Sequence, residues 1–198
     1  DFGTHIDGHI IDSAFTINID QSHEDLLLAS KEAVRNVIKN IGVDMKFKEL
    51  SAISQEIVES YEIEQNNKLT PLKVIDNVTG HNILQWKIHG DKRFFGNVNE
   101  NDNQIVEEED VLAIEVFVST GSGTTELSNN VKDYSHYSII EPDKRIPLFK
   151  NKKTNQLAKK IIPYFKTLPF CNRYIDFKDN KKENYLSNLQ ELFREGIL

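Results

Sequence analysis

DFGTHIDGHIIDSA, residues Asp1 to Ala14, is the stretch on which the reading of the fold turns. Asp7-Gly8 stands between two short runs of strand character, and Asp-Gly is a strong signal for a two-residue hairpin because both turn positions take positive φ. With residues 7 and 8 as the loop, Ile6 pairs with His9, Gly3 faces Asp12 and Asp1 faces Ala14. Side chains alternate along a strand, so Asp1, Gly3, Asp12 and Ala14 share one face. Asp1 and Asp12 become diagonal neighbours, about 5–8 Å apart at the backbone. Carboxylates that close repel unless a proton or a cation lies between them, and Gly3 leaves room for one. The same pattern also fits two aspartates on the wet face of an edge hairpin.

The 198 residues suffice for one substantial domain, or one domain with a subdomain, and 38% apolar residues can build a core. The single cysteine, Cys171, excludes an intramolecular disulfide framework and fits a reducing compartment. No apolar run reaches eighteen residues, and no basic region followed by an apolar one opens the chain, so neither a membrane span nor a signal peptide is read. The chain opens on Asp inside a strand, which points to a piece of a longer protein. The net charge of −7 is unevenly spread: Lys144 to Lys182 holds twelve Lys or Arg against Asp176 and Asp179. Such asymmetry points to two surfaces with different partners, or to a solvated face.

After the hairpin, Ser22 with Asp25 three residues on reads as a capping box. Leu26, Leu27, Ala33, Val34, Val37, Ile38 and Ile41 then predict one apolar helical face, stopped at Gly42. A second helix is predicted from Phe47 to Tyr61, with Leu50, Ile53, Ile57 and Tyr61 on its buried side. Asn66-Asn67 and Pro71 mark turns, and Leu72 to Ile75 reads as extended. Asp91 to Asp110 is polar and acidic, a predicted surface connection.

Histidines and a glutamate follow in suggestive places. Thr79-Gly80-His81 precedes Trp86 and His89, and the even separation of the two histidines puts them on one face of an uninterrupted strand, although Gly80 and Gly90 interrupt that pattern. VLAIEVFV, Val111 to Val118, reads as a central apolar strand in which Ala113, Glu115 and Phe117 share a face. Burying an unpaired carboxylate costs several kcal/mol, so Glu115 calls for a base, a proton or a metal. STGSGTT, Ser119 to Thr125, lacks the lysine of a phosphate loop and reads as a loop beside the site. The sequence holds no internal repeat and no G-x-G-x-x-G, C-x-x-C or H-E-x-x-H motif.

Beyond Tyr134-Ser135-His136-Tyr137 the chain turns basic and helical. Leu157, Ile161 and Tyr164 predict one side of a helix from Asn155 to Phe165, bent or ended by Pro163. Tyr185, Leu186, Leu189, Leu192 and Phe193 predict an amphipathic helix near the C-terminus. The domain reading is therefore residues 1–130 as an α/β core and 131–198 as a small helical subdomain.

Asp1, Asp12, His81 and Glu115 together offer carboxylates and one imidazole, a donor set suited to Mn, Fe, Co or Zn ions. Bridging carboxylates imply two divalent ions, and paired ions favour hydrolysis. In this order and spacing, DFGTHIDGHIIDSAFT, NVTGHNI, KIHGDK, LAIEVF, SHY and TLPFCNRY closely resemble the type 2 methionine aminopeptidases over essentially the whole chain. The resemblance implies a pita-bread fold around a dinuclear site, with 131–198 as the helical, winged-helix-like insert of type 2 enzymes. It implies removal of initiator methionine from nascent chains before a small second residue, in the cytoplasm. A monomer is expected, and the basic Lys144 to Lys182 stretch would serve a ribosome or RNA contact in an enzyme and in a binding relative alike, because phosphate attraction is sequence-independent. The resemblance makes Asp1, Asp12, His81 and Glu115 metal ligands, Glu115 a proton acceptor, and His89 a histidine that contacts substrate and the reacting centre. Ile88, Phe117 and His136 match residues lining the methionine pocket. A further bridging glutamate is expected beyond Leu198 and a catalytic histidine before Asp1, so this stretch alone is expected to be inactive. The competing readings are a non-catalytic pita-bread relative that binds RNA or ribosomal partners, and a pita-bread peptidase of other specificity, such as a prolidase. Filled ligand positions argue against the first, and the insert and SHY segment against the second.

Overall fold

Asp7 and Gly8 both take positive φ, 49° and 78°. The strands they join, β1 (Phe2–Ile6) and β2 (His9–Ser13), pair in the register the sequence predicts, Ile6 with His9 and Gly3 with Asp12. The computed structural model describes residues 1–19, 22–65, 67–130, 133–142, 147–179 and 185–198. Val131, Asn66 and the two ends of the basic stretch, Lys144 and Lys182, lie outside them. The chain divides into two compact units, Asp1–Gln85 with His89–Glu126, and Trp86–Ile88 with Leu127–Leu198.

In the first unit, α1 (Glu24–Asn40) and α2 (Phe47–Glu59) form the helical layer. Ala29, Ala33 and Val37 recur every four residues, the spacing of one helical face, and are fully buried. Two alanines on that stripe let α2 approach closely, and Phe47, Leu50 and Val58 fill the space between. Burying a side chain of this size contributes about 1.5–3 kcal/mol. Helix α1 starts at Glu24 behind His23, which makes no side-chain cap bond, so the cap read at Ser22 is corrected by one residue. The acidic Glu24 and Asp25 instead meet the positive end of the helix dipole. Ile38, expected inside, is 57% exposed because it falls off the Ala29 stripe.

Four short strand pairings carry the rest of the unit. β3 (Glu62–Gln65) pairs with β4 (Lys68–Pro71), and β5 (Lys73–Val74) with β9 (Val118–Ser119). β6 (Gly80–Asn82) lies between β7 (Arg93–Phe94) and β8 (Leu112–Ala113). The predicted continuous strand from Val111 to Val118 is thus two short strands with an irregular stretch between, and Glu115 lies in that stretch. Nor is Asp91 to Asp110 merely a surface connection. Phe94 and Val106 are core residues, and the backbone of Gln104 to Val106 bonds to Asp44, Met45 and Phe47. These core residues come in two isolated apolar pairs, Phe94-Phe95 and Ile105-Val106, in a polar stretch, so no periodicity announces them.

Helix α2 is fastened to this sheet by two buried hydroxyls. Ser51 Oγ donates to Phe95 O at 2.5 Å, and Ser54 Oγ donates to Gly96 O. Both acceptors directly follow β7, so the helix fixes the strand that flanks β6.

The second unit has its own core, in which Leu157, Ala158, Ile161 and Ile162 of α3 (Lys152–Phe165) meet Leu189 and Leu192 of α5 (Leu186–Arg194). β10 (His136–Tyr137) pairs with β11 (Phe170–Cys171), which leads into α4 (Asn172–Asp179). Pro163 does not end α3, which runs on to Phe165. Two aromatic residues expected inside are exposed, Tyr164 at 50% and Phe193 at 61%. The buried stripe of each helix is narrower than its apolar one.

Replacing Ser54 by alanine strands the buried Gly96 carbonyl, and is expected to destabilise the protein by about 1–3 kcal/mol. Urea unfolding of the variant against the parent measures it, with a lower midpoint and an unchanged slope as the result.

Candidate metal centre

The centre is built on β6, the middle strand of its sheet. Gly80 allows this strand to press against the chain that carries Glu115, since a Cβ there would stand 2.4 Å from Ala113 O and 3.0 Å from Glu115 N. The next residue, His81, is 4% exposed and is paired with Arg93 on one side and Ala113 on the other. Its Nε2 lies 3.1 Å from Glu115 Oε1 and 3.6 Å from Asp12 Oδ2. One ligand atom from each of Asp12, His81 and Glu115 lies within 4.8 Å of the others. Asp12 reaches this group from β2, opposite Gly3, and the hairpin tip is tied down where Gln85 Nε2 donates to Asp7 O at 2.8 Å.

This donor set fits a divalent cation. His81 Nδ1 is 3.2 Å from Asn82 O, a partner that would keep a proton on Nδ1 and leave the Nε2 lone pair to a cation held with the two carboxylates. Two carboxylates converging on one imidazole make a hard, anionic pocket of the kind occupied by Mn, Fe, Co or Zn ions.

The charges show the same demand for a cation. Burial, followed by the negative charge of Glu115, pushes the Asp12 carboxyl above its usual range. Burial lowers the affinity of His81 for a proton, but its hydrogen bond to Glu115 and the charges of Glu115 and Asp12 outweigh that and raise it overall. Loss of hydration, then the positive charges of His81 and Arg93, pushes His89 below the ordinary imidazole value. His89 therefore stays neutral where His81 charges first.

The expected residues fall in different places. Asp12, His81 and Glu115 converge, and the His89 ring meets the His81 ring edge to face, with centroids 4.4 Å apart. Strand alternation does not do this, because β6 ends at Asn82 and His89 comes back on the return of a loop. Asp1 is exposed, ahead of the first ladder pair Phe2 with Ser13, and is not part of the group formed among the described residues. Phe117 is half-buried in the first unit, whereas Ile88 and His136 belong to the second, with His136 Nδ1 2.8 Å from Ser135 Oγ. Sequence reading passed over Asn82 and Arg93. Asn82 is 3% exposed, and the sequence signal for it was only an amide directly after a candidate ligand. Arg93 Nη1 donates to Gly90 O at 3.0 Å, beside His89.

The model of metallopeptidase family M24 matches residues 1–135. The chain belongs to that family. The M24 chain is 41% identical over all 198 of its residues to methionine aminopeptidase 2 of Botryotinia fuckeliana, covering 43% of that protein. It is 39% identical to methionine aminopeptidase 2 of Komagataella phaffii, again over all of this chain and 43% of that one. The resemblance read from the motifs is thus borne out, and the chain spans about two fifths of the length of the curated relatives it matches. Among solved structures, a thermophilic Arx1 aligns with 96% of this chain and 55% of its own, with a TM-score of 0.63 at 17% identity. That likeness shows a shared mixed α/β fold. Among the described residues, no helix is long and apolar enough to cross a membrane.

Removing one of the three candidate ligands is expected to weaken Mn(II) binding by about tenfold or more, about 1.4 kcal/mol, in both Asp12→Asn and Glu115→Gln. Titration calorimetry on the metal-free protein reads this directly. Because Glu115 and Asp12 hold the His81 proton to higher pH than a free imidazole would, proton and cation compete across the neutral range. Apparent Mn(II) affinity is expected to fall steadily as pH is lowered from 8 to 6, and proton release on binding to accompany it.

Proposed function

We propose that the complete protein is a type 2 methionine aminopeptidase that removes the initiator methionine from nascent chains carrying a small second residue. The observation that carries this reading is the convergence of Asp12, His81 and Glu115 with His89 against them, in a chain of family M24. Two divalent ions, of Mn, Fe, Co or Zn, are the proposed complement, with Asp1 as a further ligand. The remaining glutamate ligand and a catalytic histidine are assigned to parts of the protein outside these residues, and these residues alone are expected to be inactive.

When bound, such ions supply Lewis acidity, which makes water a nucleophile at neutral pH and polarises a carbonyl. The chain's own groups do the rest. The Nε2 of His81 and the carboxylates of Asp12 and Glu115 fix the site. Glu115 takes a proton from the attacking water and delivers it to the departing amine as the C–N bond breaks. His89, held neutral near pH 7, donates a hydrogen bond to the substrate where negative charge develops on the carbonyl oxygen. Phe117, Ile88 and His136 are assigned to the methionine side chain by the resemblance alone.

Residues 131–198 are proposed as the type 2 insert, with its basic stretch meeting ribosomal RNA, since phosphate attraction needs no particular sequence. A cytoplasmic, monomeric protein is part of this reading. A relative that had given up catalysis for RNA or ribosome binding would not need three convergent ligands, and they are present.

Incubating the complete protein with Met-Ala-Ser and Mn(II) or Co(II) tests the reading. Free methionine is expected from the parent and at least a hundredfold less from Asp12→Asn. No release by a folded, metal-loaded parent would instead favour the binding reading.

A further inference from the structure

Beyond its backbone contact with His81, Asn82 makes a set of bonds that the proposed chemistry does not use. Its Oδ1 accepts from Lys92 N at 2.9 Å, and its Nδ2 donates to Asp91 Oδ1 at 3.3 Å. Its main-chain O accepts from Gly90 N at 2.8 Å, while its own N–H donates to Lys92 O at 3.3 Å. The same main-chain O is the partner of His81 Nδ1. One residue, 3% exposed, thus meets the ring of one histidine and the three residues that follow the other. Gly90 is shaped to this clasp, since a Cβ there would lie 2.1 Å from Asn82 Oδ1 and 2.5 Å from its Cγ.

His89 is the residue immediately before Gly90 and belongs to no regular element. Arg93 Nη1 caps the same turn by donating to Gly90 O and, at 3.1 Å, to Lys92 O. What brings the His89 ring to 4.4 Å from His81 is therefore the anchoring of residues 90–92 to the strand that bears His81. We infer that Asn82 is a positioning residue, which fixes His89 against the metal centre by clasping Gly90 to Lys92 onto β6. An amide suits the task because it offers an acceptor and a donor to adjacent residues at once. The carboxamide acts on His89, whereas the contact to His81 uses the main chain and survives a side-chain change.

This inference rests on the aminopeptidase reading for its kinetic arm only. In the complete Mn(II)-loaded protein, Asn82→Ala is expected to lower kcat for Met-Ala-Ser at least tenfold while Mn(II) affinity stays within threefold. His89→Ala lowers kcat too, and adding Asn82→Ala to it is expected to cost less than a further twofold, because the two act through one side chain. In the metal-free protein, amide exchange at Lys92 is expected to quicken tenfold or more in Asn82→Ala, the His89 ring resonances to move, and the His81 Nδ1 proton to remain. Gly90→Ala attacks the clasp from the other side and is expected to give the same spectra and the same kcat loss. Full additivity of Asn82→Ala with His89→Ala, or an unmoved His89 ring, would overturn the inference. Should the parent release no methionine, the aminopeptidase reading fails while the spectra of the metal-free variants still decide the role of Asn82.

Discussion

Two carboxylates pressed on one imidazole are the constraint around which the first unit is arranged. Asp12 and Glu115 repel each other, and the burial of Asp12 makes the repulsion stronger, so the arrangement must be held by structure that gains nothing from it locally. That structure is the core behind: α1 and α2 packed through Ala29, Ala33 and Val37, with Ser51 and Ser54 bonding to the chain next to β7. In a metal-free protein the proton on His81 offsets part of the repulsion. A cation does so more completely, which is why sites of this composition bind one.

Much of this was legible in the sequence, for local reasons. Asp-Gly sets a hairpin by its own backbone preference, so the register that faces Asp12 with Gly3 followed from two residues. The helices α1 and α2 were legible because alanine, leucine and valine recur at helical spacing. The motifs around His81 and Glu115 carried the family. What was hidden depends on single contacts between distant residues. Phe94-Phe95 and Ile105-Val106 are isolated apolar pairs in a polar stretch, and it is the backbone pairing of Gln104 to Val106 with residues 44–47 that brings Val106 into the core.

The approach of His89 to His81 illustrates the same limit. An even spacing was a reason to place both on one strand face, but the strand is only three residues long. The rings meet because a loop returns to β6 and is pinned there, a closure that no periodicity encodes. Likewise, Glu115 was read as buried in a continuous strand. It is instead about a third exposed, in the break between β8 and β9, where the chain can turn its carboxylate toward His81.

The three convergent side chains ride on supports of unequal firmness. His81 and the chain leading to Glu115 are joined by the β6 and β8 ladder, whereas among the described residues Asp12 sits on a two-stranded ribbon. A free hairpin of that size is marginal in water. By mass action, whatever binds the assembled trio preferentially also stabilises the ribbon in its docked position. Occupancy of the centre is thereby coupled to the order of residues 2–13, the ribbon that carries Asp12.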